Sequence, residues 1–427
     1  MNKKILLAIL ILILILSIIM IFPNSITKNY NIPKLFALLI GGFLLLIGLV
    51  LNHKEIIVDK KDILIFIFLT IAFLSTCLSD NIKISILGDR NRYEGFLMIT
   101  IYVVIYIVAK NFIDFSKINK LLNIGFYVAL FAGILGILQK NIDLEVLYPI
   151  FNKGIASTFG NSNFFGSFIS IILPISSLMY IIYGYKKGYI LSLVMFFNMI
   201  ASGTRSAWVA FIIAALFGFI YLIKSKNKMI LKNSIILIIS FILIFAYLYC
   251  NGGIFKANHD TRARIKQIQS EFNSVKYKGI SNTLGSNRIE IWKMTLKLIA
   301  QKPLFGCGTD NLKRGLLKYC REDFFAFAIR TSGAPDKAHN EYLQIAATMG
   351  IPAVIVYTIF VSAILLPKMK NMFKNKVAYI LSLTIISYLT QAFFNISTIG
   401  VAPLYWMLLG ITDRYVDYNK EEIIKKD

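Results

Sequence analysis

The sequence predicts an all-α polytopic membrane protein, on three observations. Hydrophobic residues fill 57% of its 427 positions, above the roughly 45–50% of soluble domains. Mean hydropathy is +0.68. Apolar runs near the ~20 residues that cross a ~30 Å hydrocarbon core recur along the chain, and in lipid such runs must be helical because each amide has to find its partner within its own segment.

Read in order, the runs place twelve helices at about 5–22, 35–51, 63–78, 96–110, 121–139, 163–183, 189–202, 206–223, 233–250, 343–366, 377–394 and 400–412. Lys3 and Lys4 ahead of the first run imitate a secretion signal, but the run is too long and no small-residue cleavage site follows, so it reads as a retained helix. The chain then divides into a nine-helix membrane bundle (1–250), a large outer-face loop between helices 9 and 10 carrying amphipathic helices (251–342), C-terminal membrane helices (343–412) and a cytoplasmic tail (413–427).

Charge sets the orientation. The formal charge is +24, with 46 basic and 22 acidic residues. With the N-terminus inside, the cytoplasmic tails and loops hold 22 of those bases and the short outer loops only eight; the other sixteen lie in 251–342. Long loops cross regardless of charge, so the positive-inside rule puts both termini in the cytoplasm and makes the basic excess a matter of topology, with no nucleic-acid partner. Arginine breaks the pattern. Of ten arginines only Arg414 is inside, while Arg90, Arg92, Arg205, Arg262, Arg264, Arg288, Arg314, Arg321 and Arg330 face outward. The guanidinium fork grips phosphate or carboxylate bidentately, where lysine offers a point charge. An anionic ligand on the outer face follows.

Five polar clusters sit at outer helix ends. Gly88-Asp89-Arg90-Asn91-Arg92-Tyr93-Glu94-Gly95 brings two arginines to the start of the fourth helix. Ser157 to Gly166 includes Asn161 and Asn163, residues suited to an N-cap that leaves amides facing an anion. Ser202-Gly203-Thr204-Arg205-Ser206-Ala207-Trp208 is a tight turn with one arginine and no carboxylate nearby in sequence. Gly285-Ser286-Asn287-Arg288 opens a helix whose apolar face, Ile289, Trp292, Leu296 and Ile299, would lie in the interface; Gly306 and Gly308 follow it. Ala338-His339-Asn340-Glu341 leads into the tenth helix, with Gly350-Ile351-Pro352 soon after. A histidine near its ordinary pKa of about 6.5 accepts a proton at neutral pH and suits a general base for a hydroxyl. The other two histidines, His53 and His259, stand apart. Cys307 and Cys320 share the long loop and could pair. No cluster of His, Cys or carboxylates has metal-ligand spacing, and no Asp-x-Asp motif occurs, so neither a metal nor a cofactor is expected.

These clusters, in this order and with this loop, resemble the O-antigen ligase and O-antigen polymerase superfamily of bacterial membrane glycosyltransferases, from about residue 80 onward. The telling parts are Thr-Arg-Ser at Arg205, Asn-Arg with Trp four residues on at Arg288 and Trp292, Gly-x-Gly at Gly306 and Gly308, and Ala-His-Asn at His339. The resemblance implies a GT-C-like bundle in the cytoplasmic membrane and a metal-independent, inverting transfer of a glycan from an undecaprenyl-diphosphate carrier to an acceptor hydroxyl on the outer face. It implies that Arg205 and Arg288, with Arg90 and Arg92 in second rank, hold the diphosphate, that His339 is the base, and that Asn161, Asn163, Trp292 and Asn340 support them. Ligases and polymerases share these residues, so the acceptor, a glycan or a lipid-linked glycan, stays open. A transporter or flippase for lipid-linked or small polar molecules would share the helices and lysine pattern, but it needs polar residues through the membrane, and apart from residues such as Asn198 and Asn395 the spans are Ile, Leu and Phe.

Overall fold

The computed structural model describes residues 2–21, 29–90, 92–141, 155–251, 261–278, 285–370 and 375–424; Asn91 and His259 of the sequence reading lie outside them. Every regular element among the described residues is helical. The first ten are α1 (Lys3–Ile19), α2 (Ile32–Leu51), α3 (Lys60–Cys77), the short α4 (Ile82–Leu87), α5 (Phe96–Phe112), α6 (Ile118–Asn141), α7 (Ser162–Tyr183), α8 (Lys186–Ala201), α9 (Arg205–Ser225) and α10 (Lys228–Cys250). Four follow within the long loop: α11 (Thr261–Lys278), α12 (Arg288–Gln301), α13 (Leu312–Tyr319) and α14 (Arg321–Thr331). The chain closes with α15 (Glu341–Met349), α16 (Ile351–Lys370), α17 (Lys376–Ala392) and α18 (Ala402–Ile424).

Each of the twelve expected runs overlaps a helix, and the run at 343–366 overlaps two. Six helices, α2, α6, α7, α9, α10 and α16, are long and apolar enough to cross a membrane over stretches of 19–23 residues. Their outward faces carry Phe43, Phe219, Leu243 and Ile242, all well exposed; such surface is stable only against lipid, and the chain is a multi-pass membrane protein. One core runs through the bundle, where α5 packs on α18 and α7 lies against α8, α9 and α17. A second core joins Ile291, Met294, Leu298, Leu312, Leu316, Phe324 and Phe327 to Ala346 and Ala347 of α15, so α12–α14 form a layer folded onto that helix.

Two expectations need correction, and the open pairing of two cysteines is resolved. The run at 343–366 is two helices, because Gly350 takes φ +93° between α15 and α16 and the Ile351 amide turns to bond the Pro303 carbonyl at 2.7 Å. A Cβ on Gly350 would lie 2.0 Å from the Leu304 carbonyl oxygen, so only glycine fits. The apolar face of α12 is Ile291, Met294, Leu298 and Ile299, buried against protein, whereas Leu296 of the expected stripe points outward. Cys307 and Cys320 are buried free thiols with no disulfide between them.

At the end of α5 remote from the arginine clusters, Lys110 Nζ lies 2.6 Å from Asp62, 3.0 Å from Asp59 and 3.1 Å from Asp413. Tyr106 Oη donates to Asp62 (3.0 Å) and Asp413 (2.8 Å). The three carboxylates are spaced as metal ligands would be, but the ammonium stands among them and ties α3, α5 and α18 together. Removing one partner of such a buried set leaves a charge uncompensated, at about 3–5 kcal/mol.

Candidate active site

At the opposite end of the bundle a cavity of about 330 Å³ opens among the starts of α7, α9, α11 and α12, the end of α14 and the loop before α15. Arg205, Arg288, His339 and Asn163 line it together, joined by Arg264 and Asp336.

Local structure aims each group. Arg205 is the first residue of α9, after a turn in which Gly203 has φ +63°. The Thr204 hydroxyl donates to the Ser162 carbonyl at 3.0 Å and pins this turn to the start of α7. Arg205 Nη1 then meets Glu271 Oε2 at 2.7 Å, and Nη2 donates to Ser286 Oγ at 3.2 Å. Arg288 opens α12 after Gly285, Ser286 and Asn287, all with φ between +62° and +66°. Left-handed backbone at two non-glycine residues is costly and tends to persist where function holds it. Among the described residues the Arg288 guanidinium, which lines the cavity, has no carboxylate partner.

His339 also has a left-handed backbone, φ +49°. Trp292 Nε1 donates to the Ala338 carbonyl at 2.9 Å, and the Ala338 amide donates to Gln344 Oε1 at 2.9 Å. The Asn340 side chain caps α15 by accepting from the Leu343 amide at 3.0 Å. His339 is therefore held from both sides while its ring opens on the cavity. Its Nδ1 is buried with no hydrogen-bond partner among the described residues. Gly306 and Gly308, with φ +64° and +100°, let the 306–308 backbone reach α15: the Cys307 and Gly308 amides bond the Ala347 and Thr348 carbonyls at 3.0 Å each.

The second-rank residues part company. Arg92 stacks over Phe164 at 5.1 Å and forks onto Asp336 Oδ2 at 2.9 and 3.3 Å, so it reaches the cavity through that carboxylate. Arg90 is exposed and off the cavity wall; its carbonyl accepts from Asn29 Nδ2 at 2.8 Å. Asn161 accepts from the Asn163 amide at 2.8 Å and orients the start of α7, whereas Asn163 itself lines the cavity. Sequence reasoning missed Glu271, Asp336 and the part played by Arg264. Arg264 was visible as one outer arginine among nine, and nothing local marked it.

Around the cavity four guanidiniums, of Arg92, Arg205, Arg264 and Arg288, face two carboxylates, of Glu271 and Asp336. Two positive charges remain. Burial and the nearby Arg205 and Arg264 push Arg288 down to about 10. Burial and Arg288 push His339 down to about 4, partly offset by Asp336. The imidazole is neutral at pH 7 with a lone pair to offer, in a site two charges short of balance. Behind the loop a smaller cavity of about 80 Å³ holds Glu94 and Glu341, pushed up to about 7 and about 8, chiefly by burial. There Lys337 pairs with Asp310, whose Oδ2 accepts from the Asp89 amide at 2.6 Å and anchors the Arg92 segment.

Residues 190–358 match the family model described as O-antigen ligase. That stretch holds Arg205, Arg264, Arg288 and His339. The chain is also 23% identical over 310 residues to the ComP-specific O-oligosaccharyltransferase of Acinetobacter baylyi, covering 67% of this chain and 50% of that protein. The chain thus spans about half the length of the curated relative it matches. The ordered motifs, the matched segment and this relative agree on one family, the O-antigen ligase superfamily.

Proposed function

We propose that the protein transfers a glycan from an undecaprenyl-diphosphate carrier to an acceptor hydroxyl on the outer face of the cytoplasmic membrane, by an inverting, metal-independent reaction. The observation that carries this reading is the convergence of three arginines and a neutral histidine on one cavity at a bundle end. The positive-inside pattern supports twelve spans with both termini cytoplasmic and 251–342 outside, which sets the cavity at headgroup depth. There a diphosphate can rest while its polyprenyl tail stays in lipid.

A diphosphate diester carries two negative charges, which balance the two positive charges left over in the site. Arg205 and Arg288 hold it, while Arg92 is paired with Asp336 and fixes that carboxylate at the cavity wall. The acceptor oxygen attacks the anomeric carbon, the bond from that carbon to the phosphate oxygen breaks with its electron pair going to the phosphate, and His339 takes the hydroxyl proton. Charge grows on the leaving oxygen as the bond breaks, and fixed guanidiniums placed there lower the barrier. Arg288, which adds to the depression that burial imposes on His339, is neutralised by the donor, so donor binding relieves that part of the shift and strengthens the base.

Reconstituting the protein in lipid with an undecaprenyl-diphosphate oligosaccharide and a chelator tests this. Release of undecaprenyl diphosphate with formation of a glycan product supports the reading; a ladder of lengths identifies a polymerase, a single addition a ligase. An untouched donor with every acceptor class overturns it.

A further inference from the structure

The cavity has an arginine that the mechanism above leaves unused, on a helix that also carries a carboxylate aimed at the same site. Arg264 lies in the first turn of α11 and lines the cavity beside Arg205 and Arg288. Its Nε donates to the Gly203 carbonyl at 3.1 Å, in the turn that presents Arg205, and its Nη1 donates to Gln267 Oε1 at 2.7 Å. These bonds engage two of its five N–H groups. Gln267 Nε2 in turn donates to Glu271 Oε1 at 3.1 Å, and Glu271 Oε2 takes Arg205 Nη1 at 2.7 Å. Residues 264, 267 and 271 are spaced to share one helix face, so a single side of α11 presents a guanidinium and a carboxylate to the arginine pair.

A carboxylate and a phosphate compete for the same fork, since both offer paired oxygens at hydrogen-bonding distance. Glu271 stands where a phosphate oxygen would bind Arg205. Arg264 has no carboxylate partner of its own among the described residues. Arg262 fixes the start of α11 through the Tyr249 and Cys250 carbonyls at 2.5 and 2.9 Å, which keeps Arg264 near the cavity whether or not Glu271 stays on Arg205.

We propose that Arg264 is a third diphosphate ligand, delivered by α11, and that Glu271 of the same helix is an internal anion that holds Arg205 until a phosphate displaces it. This rests on the diphosphate reading of the cavity. Glu271 then sets the affinity: it holds Arg205 in place and weakens donor binding by the competition.

Inorganic pyrophosphate binding to the full-length protein in lipid nanodiscs is the test, alongside the unfolding midpoint of each variant. Arg264→Ala should weaken binding by about tenfold or more, the worth of charge-assisted hydrogen bonds, and Arg264→Lys should recover only part of the loss because the fork is gone. Glu271→Gln keeps the size and the Gln267 contact but removes the competing charge, and should tighten binding by about threefold or more. If Arg205→Ala and Arg288→Ala weaken binding while Arg264→Ala and Glu271→Gln bind as wild type, this proposal alone is overturned. If Arg205→Ala and Arg288→Ala also bind as wild type, the diphosphate reading itself falls.

Discussion

Arg205 finds its counter-charge in Glu271, on a different helix, while Arg288 beside it has none among the described residues. Burial, with that unpaired Arg288 charge beside it, depresses His339 to about 4, and two pH effects follow. A folded pKa below the ordinary value of about 6.5 means that the unfolded chain takes up a proton the folded one refuses. Stability is therefore lost as pH falls from about 6.5 toward 4, and His339→Gln should flatten that slope in thermal unfolding. For activity, the acid limb of kcat should lie at higher pH than that of kcat/KM, because kcat reports the complex in which the donor offsets the arginines; coincident limbs would separate His339 from the donor's charge. His339→Ala should lower turnover by about 100-fold or more with normal membrane insertion. Arg205→Lys keeps the charge and loses the fork, and should lower kcat/KM by about tenfold; unchanged turnover would reduce Arg205 to a surface cation. Arg205, Arg288 and His339 were legible because each sits in a short polar motif at a helix end. Glu271 was not, since a salt bridge between residues that far apart in the chain leaves no local pattern.

At the scale of elements, α12 and α15 carry the histidine between them. Trp292 on α12 donates to the Ala338 carbonyl and packs against Phe393 at 5.9 Å, so Trp292→Phe keeps most of the packing and orphans a buried carbonyl. It should cost about 1–3 kcal/mol in unfolding and lower kcat more than it changes KM. Gly350 breaks what sequence showed as one span; Gly350→Ala should cost about 2 kcal/mol or more from backbone strain and the clash with Leu304, whereas Gly125→Ala in α6, whose added Cβ would meet nothing within 4 Å, should be neutral. Both misread elements fail for the same physical reason. The stripe 289, 292, 296, 299 and the stripe 291, 294, 298 have the same helical spacing, and only the surface of α13–α15 decides which is buried. The break at Gly350 is likewise set by a segment far earlier in the chain, the Pro303–Gly308 turn; periodicity in a window cannot see it.

For the molecule as a whole, the spans were legible because the length of an apolar run is a property of one segment facing one solvent, and lipid leaves the backbone no choice but helix. What sequence could not give was the relation between the two ends: an arginine cavity at one, and at the other the Lys110 network that locks α3, α5 and α18. The 17 residues of α5 separate them by about 25 Å. Lys110→Met should therefore lower the unfolding midpoint and leave the KM for the donor unchanged in the surviving folded fraction. The central claim, that glycan transfer runs through the arginine cavity, is tested most directly by donor cleavage in the reconstituted wild type beside Arg288→Ala and His339→Ala. The account predicts released undecaprenyl diphosphate in the wild type and a loss of about 100-fold or more in each variant at equal protein in the membrane; wild-type rates in both variants would contradict it.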